Sequence, residues 1–316
     1  MADKNIVSAE GLKIETVHGG SRYVTIDGVR IRLARPLELN TRWVGNSKVF
    51  NQLRACWYTH TEVDFPMNPK LVGKPGVGKT MLAYSVAKSV ESDVYFFQAT
   101  SDTKPNDVLI NPIIAEGSVT DAAGVATQVE YVASSLVTAM ILGSVIVFDE
   151  GNRMQEKAWA SLAPLLDTRR YVESVVVGLV IKAHPQFRFV ATMNDDASTF
   201  ELPEYIKSRL QPTIIVESPS KVEEREILEA NLPRTNPLVL DYVAEFLDAA
   251  HKADENYTVR EGIHIANYAG KLVDFESSCG RELDPGEAVI NSVEQILGVR
   301  QARYIKQILW RERTEG

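Results

Sequence analysis

Eight consecutive residues, Gly73-Lys74-Pro75-Gly76-Val77-Gly78-Lys79-Thr80, gather three glycines, a lysine and a hydroxyl around a space that one anion could fill. Glycines let backbone N–H groups close around β- and γ-phosphates, a lysine at this spacing bridges those phosphates, and the Thr80 hydroxyl is a ligand for Mg2+. The candidate nucleotide-binding residues are therefore Gly73, Pro75, Gly76, Val77 and Gly78, with Lys79, Thr80 and Met81 at the head of the next helix. Leu71-Val72 reads as the strand before the loop, and Ala83, Val86, Ala87 and Val90 form the stripe of the helix after it. The positive end of that helix adds to the attraction for phosphate.

A second group of residues complements the first. Val145-Ile146-Val147-Phe148 is a run of four apolar residues ending in Asp149-Glu150. A buried strand with acids at its C-terminal end places them where open α/β sheets bind ligands. Asp149 is expected to hold Mg2+ through water, and Glu150 to polarise an attacking water as general base. Two acids after an apolar run are common by themselves; downstream of a phosphate loop they acquire a role. The cofactors implied are ATP and Mg2+.

The elements that must position these groups follow an α/β pattern. Strands are predicted at Asp93–Gln98, Ser144–Phe148, Phe187–Thr192 and Thr213–Val216, and helices at Ser47–Tyr58, Lys79–Ser89, Gln128–Leu142 and Gln155–Leu166. This alternation over residues 41–218 predicts a mostly parallel sheet with helices on both faces. Before it, Asp27-Gly28 between two alternating apolar runs predicts a β-hairpin in a short N-terminal β extension, residues 1–40. After Pro219 the strand signals vanish. Lys221–Ala230, Leu238–Ala253, Arg260–Val273, Glu287–Leu297 and Val299–Trp310 predict a helical domain over residues 219–316.

Composition narrows the classes of function. The 316 residues are 45% hydrophobic and 24% charged, which excludes a disordered chain, a collagen and a coiled-coil rod. A net charge of −8 argues against an electrostatic grip on nucleic acid or anionic lipid. Cys56 and Cys279 stand far apart with no CxxC, so neither a disulfide framework nor a zinc site is expected, and a reducing cytoplasm fits. The start, MADKNIVSAEGLK, has no apolar run that would make a signal peptide. Tyr131–Phe148 is uncharged, yet Ser134, Ser135, Thr138 and the Gly143-Ser144 break make it a helix followed by a buried strand; no membrane insertion is expected.

With these motifs in hand, residues 40–275 resemble the AAA+ ATPases, and within them the MoxR-like, dynein-related branch. In that family the acid pair continues as here, Asp149-Glu150-Gly151-Asn152-Arg153-Met154, and a β-hairpin insertion follows, here Arg170–Lys182 with its turn near Gly178. The resemblance makes Asn194, in Ala191-Thr192-Met193-Asn194, the polar sensor that orients the attacking water or contacts the γ-phosphate. It makes Arg209, in Leu202–Leu210, the arginine finger supplied to a neighbouring subunit, although family members usually carry phenylalanine where Leu210 stands. Arg260, in Thr258-Val259-Arg260, resembles the lid arginine that contacts phosphate, and Val44 and Gly45 fall where the family contacts adenine. His184-Pro185 is similar to a segment of midasin-type and cobaltochelatase-type members; His184 is assigned no chemistry.

The resemblance implies a homo-oligomeric ring, a hexamer in most members, with ATP bound between subunits. It also implies a protein client that is remodelled, activated or loaded with metal, often a von Willebrand A domain protein or a metalloenzyme. A nucleic-acid-associated motor and a nucleotide-gated scaffold with little turnover are the alternatives. Ile110–Thr127 and the 170–182 hairpin are read as loops that either touch partners or merely connect. Val299–Trp310 is a helix with a basic face that is either solvated or free to meet an acidic partner, nucleic acid or membrane.

Overall fold

The structure is a computed structural model that describes residues 6–17, 19–39, 43–61, 64–120, 126–195, 201–253, 255, 257–302 and 305–306. The chain divides into two compact units, residues 1–40, 48–72 and 79–215 in one and residues 41–47, 73–78 and 216–316 in the other. The architecture is mixed α/β followed by helices.

In the first unit the chain forms β1 (Ile6–Ser8), β2 (Ile14–Thr16), β3 (Arg22–Ile26), β4 (Val29–Arg32), α1 (Ser47–Cys56), β5 (Lys70–Gly73), α2 (Lys79–Ser89) and β6 (Val94–Gln98). It continues through β7 (Ile110–Thr120), β8 (Ala126–Ala133), α3 (Ser135–Leu142), β9 (Val145–Asp149) and α4 (Glu156–Leu162). The last elements are β10 (Tyr171–Ser174), β11 (Leu179–Lys182), β12 (Arg188–Asn194), α5 (Glu204–Lys207) and β13 (Thr213–Ile215). The central sheet has the order β13-β5-β12-β9-β6, with β6, β9 and β12 running parallel. Val145, Ile146, Val147 and Phe148 are fully buried, as a strand covered on both faces requires.

A second sheet, β2-β3-β4-β8-β7, joins the predicted N-terminal hairpin to an internal one. The β3–β4 hairpin turns at Asp27-Gly28 as its sequence dictates, and β4 lies parallel to β8 with Ile31 opposite Tyr131. Val24, Ile26, Ile31 and Leu33 pack into the same core as Tyr95, Leu136, Ile146 and Phe148. A third sheet, β1-β11-β10, contains the predicted 170–182 hairpin, which turns through residues 175–178.

Two expectations are corrected by these elements. The helix expected over Gln128–Leu142 begins only at Ser135, with the Ser134 hydroxyl accepting from the Val137 N–H at 3.1 Å, while residues 126–133 form β8. The stretch Ile110–Thr127, read as a loop, is largely the hairpin β7–β8, paired antiparallel from Ile110 opposite Ala133 to Glu116 opposite Thr127. Cross-strand pairing overrides the helical spacing of apolar residues there. Residues 121–125 of that stretch lie outside the described residues.

The second unit holds α6 (Lys221–Asn231), α7 (Pro237–Lys252), α8 (Val259–Ser278) and α9 (Pro285–Leu297). Their starts are written in the sequence. Ser220 with Glu223 and Thr258 with Glu261 form capping boxes, and Pro237 and Pro285 follow the caps Asn236 and Asp284. Leu228, Val243, Phe246, Leu247, Ile265, Ala266, Val289 and Val293 form the core between the four helices. Residues 299–302 and 305–306 are helical, and the rest of the predicted Val299–Trp310 helix lies outside the described residues. No helix among the described residues is long and apolar enough to cross a membrane.

Candidate nucleotide site

The site is built at the C-terminal ends of β9 and β12 and at the head of α2. Lys79 and Thr80 open α2, following directly on the glycine loop. The loop's backbone is possible only with glycine at its turns: Gly76 has φ +80° and Gly78 φ +90°. A β-carbon at Gly76 would lie 2.4 Å from Thr258 Oγ1, and one at Gly78 2.8 Å from the Trp43 ring. The same ring lies against Gly45, so Trp43 occupies the place beside the expected adenine contacts Val44 and Gly45.

Lys79 is buried and its ammonium donates to Asn194 Oδ1 at 2.9 Å. Asn194 Nδ2 in turn donates to Glu150 Oε1 at 3.1 Å, so one amide joins the lysine to the carboxylate. Asn152, which is buried, donates to the Asn194 carbonyl at 2.8 Å and fixes the end of β12. The sequence-predicted Lys79, Asn194 and Glu150 are thereby brought together.

Asp149 accepts from the Thr80 hydroxyl at 3.0 Å and from the Thr192 hydroxyl. Two hard oxygen donors side by side suit Mg2+, which takes one or two protein ligands and fills its other positions with water and phosphate oxygens. No cluster of three or more His, Cys, Asp or Glu that could cage a metal lies among the described residues. Thr80 and Asp149 therefore fit the ion expected of them.

Glu150 sits at φ +52°, a left-handed conformation, at the turn between β9 and the 3-10 segment Gly151–Arg153. For a residue with a side chain this conformation costs about 1–2 kcal/mol. Its neighbours supply the compensation. The Trp159 indole donates to the Gly151 carbonyl at 3.2 Å, the Glu150 N–H donates to Thr192 Oγ1 at 3.2 Å, and Phe148 stacks against Phe97 and Phe189. Among the described residues the carboxylate has two hydrogen-bond donors, Asn194 on Oε1 and Gln98 Nε2 at 3.0 Å on Oε2, and an ion pair with Arg153, whose Nε lies 2.8 Å from Oε2. Gln98, Arg153, Thr192 and Trp159 are absent from the sequence-based assignment. For Arg153 the spacing of three residues after Glu150 was a usable signal; for the others none exists.

Arg209 is placed elsewhere. Its Nε meets Asp167 Oδ2 at 3.3 Å and its Nη1 donates to the Tyr205 carbonyl at 2.5 Å. Asp167 also binds Arg169, with Nη2 at 2.7 Å from Oδ2. The Arg169 hydrogen bond above all, with further help from Arg209, holds the Asp167 carboxyl down at a pKa of about 2. Arg260 is exposed at the first turn of α8, where its N–H bonds the Thr258 hydroxyl at 3.3 Å. His184 closes a turn: its N–H donates to the Met140 carbonyl at 3.0 Å and its Nδ1 accepts from the Gln186 N–H at 3.1 Å. That is a structural role.

These features make a candidate P-loop site, and comparison with known proteins agrees with an AAA+ fold. Residues 70–210 match the family described as AAA domain (dynein-related subfamily). Among solved structures, a proline-to-glycine mutant of Thermotoga maritima RuvB superposes with a TM-score of 0.56 at 14% identity, over 84% of this chain and 76% of that one. Thermotoga maritima RuvB described as a Holliday junction branch migration motor gives 0.50 at 14% identity, over 79% and 69%. At that identity the likeness is one of fold. Uncharacterized proteins of Staphylococcus aureus strains USA300 and NCTC 8325 are 28% identical over 165 residues, 52% of this chain and 59% of each relative. The chain thus spans somewhat more than half the length of the curated relatives it matches.

Proposed function

We propose that this protein is a MoxR-like AAA+ ATPase that assembles into a ring, a hexamer by analogy, and couples hydrolysis of Mg-ATP to remodelling, activating or metal-loading a protein partner. The observation that carries the ATPase reading is the chain of contacts Lys79–Asn194–Glu150 beside Thr80–Asp149. In this reading the loop from Gly73 to Gly78 and the α2 head wrap the phosphates, and Lys79 turns from Asn194 to the β- and γ-phosphate oxygens. Mg2+, held by Thr80 and through water by Asp149, supplies neutralising charge when bound. Asn194 positions a water, and Glu150 accepts its proton as the oxygen attacks the γ-phosphorus and the bond to the leaving ADP oxygen breaks. Arg209 of an adjacent copy approaches the γ-phosphate and Arg260 meets it from the helical unit. Val44 and Gly45 line the adenine.

A partner with a von Willebrand A domain or a metalloenzyme fits the branch, and the two free cysteines, Cys56 buried and Cys279 exposed, suit a cytoplasmic setting. A second reading, a nucleic-acid motor, draws on the RuvB-like fold and is opposed by the net charge of −8. DNA-stimulated, salt-dependent hydrolysis would favour it. A nucleotide-gated scaffold is opposed by the presence of Glu150.

Steady-state hydrolysis by wild type and Glu150→Gln tests the reading. Equal, near-zero rates under assembling conditions refute an ATPase, and ATP binding that survives Lys79→Ala refutes the phosphate loop. Mixing Arg209→Ala with Glu150→Gln should restore activity where an intact finger meets an intact base; confirmed mixed rings without activity refute a finger acting in trans. Capture with Glu150→Gln, with and without ATP, identifies the partner.

A further inference from the structure

Glu224, on α6, is completely buried, and among the described residues neither of its carboxylate oxygens has a hydrogen-bond donor in the usual geometry. One oxygen, Oε1, lies 3.5 Å from His251 Nδ1 on α7. The opposite ring nitrogen, Nε2, lies 2.6 Å from the Tyr257 carbonyl oxygen. A carbonyl only accepts, so Nε2 carries a hydrogen and donates. Nδ1 then has two states. Either it holds a second proton and faces a carboxylate, or it presents a lone pair to a protonated carboxyl. A bare carboxylate facing a bare lone pair would set two acceptors against each other in a buried site, the arrangement of highest cost. One proton therefore lies between Glu224 and His251 in either case.

The charged surroundings agree. From α7, Asp248 faces Glu224, and Asp248 is itself paired with Lys252 at 2.6 Å; among the described residues α8 brings no charged group that shifts Glu224. Burial first and Asp248 second push the Glu224 carboxyl up to about 8, which places the proton on the carboxyl at neutral pH.

Tyr257 matters because it immediately precedes the start of α8. Thr258 caps that helix, bonded through its N–H to Glu261 at 2.8 Å, and Arg260 stands in the first turn. We infer that Glu224 and His251 are a proton-sharing positioning pair that anchors the Tyr257 carbonyl, sets where α8 begins, and thereby aims Arg260. The inference rests on reading Arg260 as a contact to nucleotide from the helical unit. Neither Glu224 nor His251 touches nucleotide; both act through Arg260.

The test is ATP affinity of the full chain by calorimetry, with thermal unfolding to show that each variant is folded. Glu224→Leu and His251→Phe should weaken ATP about tenfold, the scale of one lost hydrogen bond. Glu224→Gln, whose amide can still donate to Nδ1, should rescue the affinity to within about twofold. In an Arg260→Ala background neither substitution should weaken binding further. Wild-type affinity in Glu224→Leu and His251→Phe, or an equal loss with and without Arg260, overturns the inference. If Arg260→Ala alone leaves ATP affinity unchanged, the role given to Arg260 falls and the inference with it. Nitrogen NMR reads the pair without nucleotide: the His251 Nε2–H form is expected, and a Nδ1 signal indifferent to Glu224→Leu also overturns the proton link.

Discussion

Asp167→Asn tests how Arg209 is held. The carboxylate serves two guanidinium groups, Arg169 at 2.7 Å and Arg209 at 3.3 Å, and its side chain is 20% exposed. Its pKa falls from 3.8 to about 2. At about 1.4 kcal/mol per unit that is at most about 2.5 kcal/mol of pH-dependent stability, and partial solvent screening brings it nearer 1 kcal/mol. A folded-state pKa below the unfolded one gives stabilisation present above pH 3.8 and lost as pH falls toward 2. The amide of the variant keeps the shape and one acceptor but not the charge. Urea unfolding, which leaves ionic strength unchanged, should therefore find the variant about 1 kcal/mol less stable at pH 7, with the gap closing from about pH 4 downward. A variant as stable as wild type at pH 7, or a gap that does not change with pH, refutes the reasoning. The freed Arg209 should also change turnover in assembled protein while the affinity for ATP stays the same.

Three other perturbations address the base and the helical unit. Gln98→Leu removes one of two hydrogen-bond donors from the Glu150 carboxylate and should lower basal kcat a few-fold with KM for ATP unchanged; an unchanged kcat in steady-state kinetics refutes a positioning role for Gln98. Trp159→Phe removes one of the two donors to the buried Gly151 carbonyl and leaves the Met154 N–H, which should cost about 0.5–1.5 kcal/mol in chemical denaturation and lower kcat, since Glu150 is held in its left-handed conformation from that side. Glu224, with a folded-state pKa of about 8 against 4.5 unfolded, favours the fold when protonated. Stability should therefore fall between about pH 4.5 and 8, by no more than about 1.4 kcal/mol per pH unit, and Glu224→Gln should remove that slope in melts taken across the range.

The glycine-rich loop and the strand ending in the acid pair were legible because each is contiguous: backbone geometry at Gly76 and Gly78, and the buried strand ending at Asp149, are decided by neighbouring residues. The helices of the second unit were legible through their caps, Ser220 with Glu223 and Thr258 with Glu261, which act within four residues. The β7–β8 hairpin was not. Its strands are chosen by pairing with each other and by Ile31 against Tyr131, which are distant in sequence, so spacing within 128–142 suggested a helix. Ser134 as a cap and Gly143 as a stop were the local signals that place the helix correctly. Gln98, Thr192 and Asp167 reach the site or Arg209 only through tertiary packing, and no local rule finds them.

The strand β1 has a consequence for synthesis. Ile6, Val7 and Ser8 pair in parallel with Val180, Ile181 and Lys182, and Ala9 N–H donates to the Lys182 carbonyl at 3.0 Å. At ribosomal speeds of about 5–20 residues per second, the partner strand is made on the order of 10–30 s after β1. Throughout that interval β1 offers an unpaired edge with an apolar residue on it, open to chaperones, to proteases and to strands of other nascent chains. The β10–β11 hairpin is thus a late fastener for an early segment. Substitutions that weaken it, such as at the buried Val172 or Ile181, should reduce the yield of folded protein from the ribosome more than they reduce the stability of protein already folded.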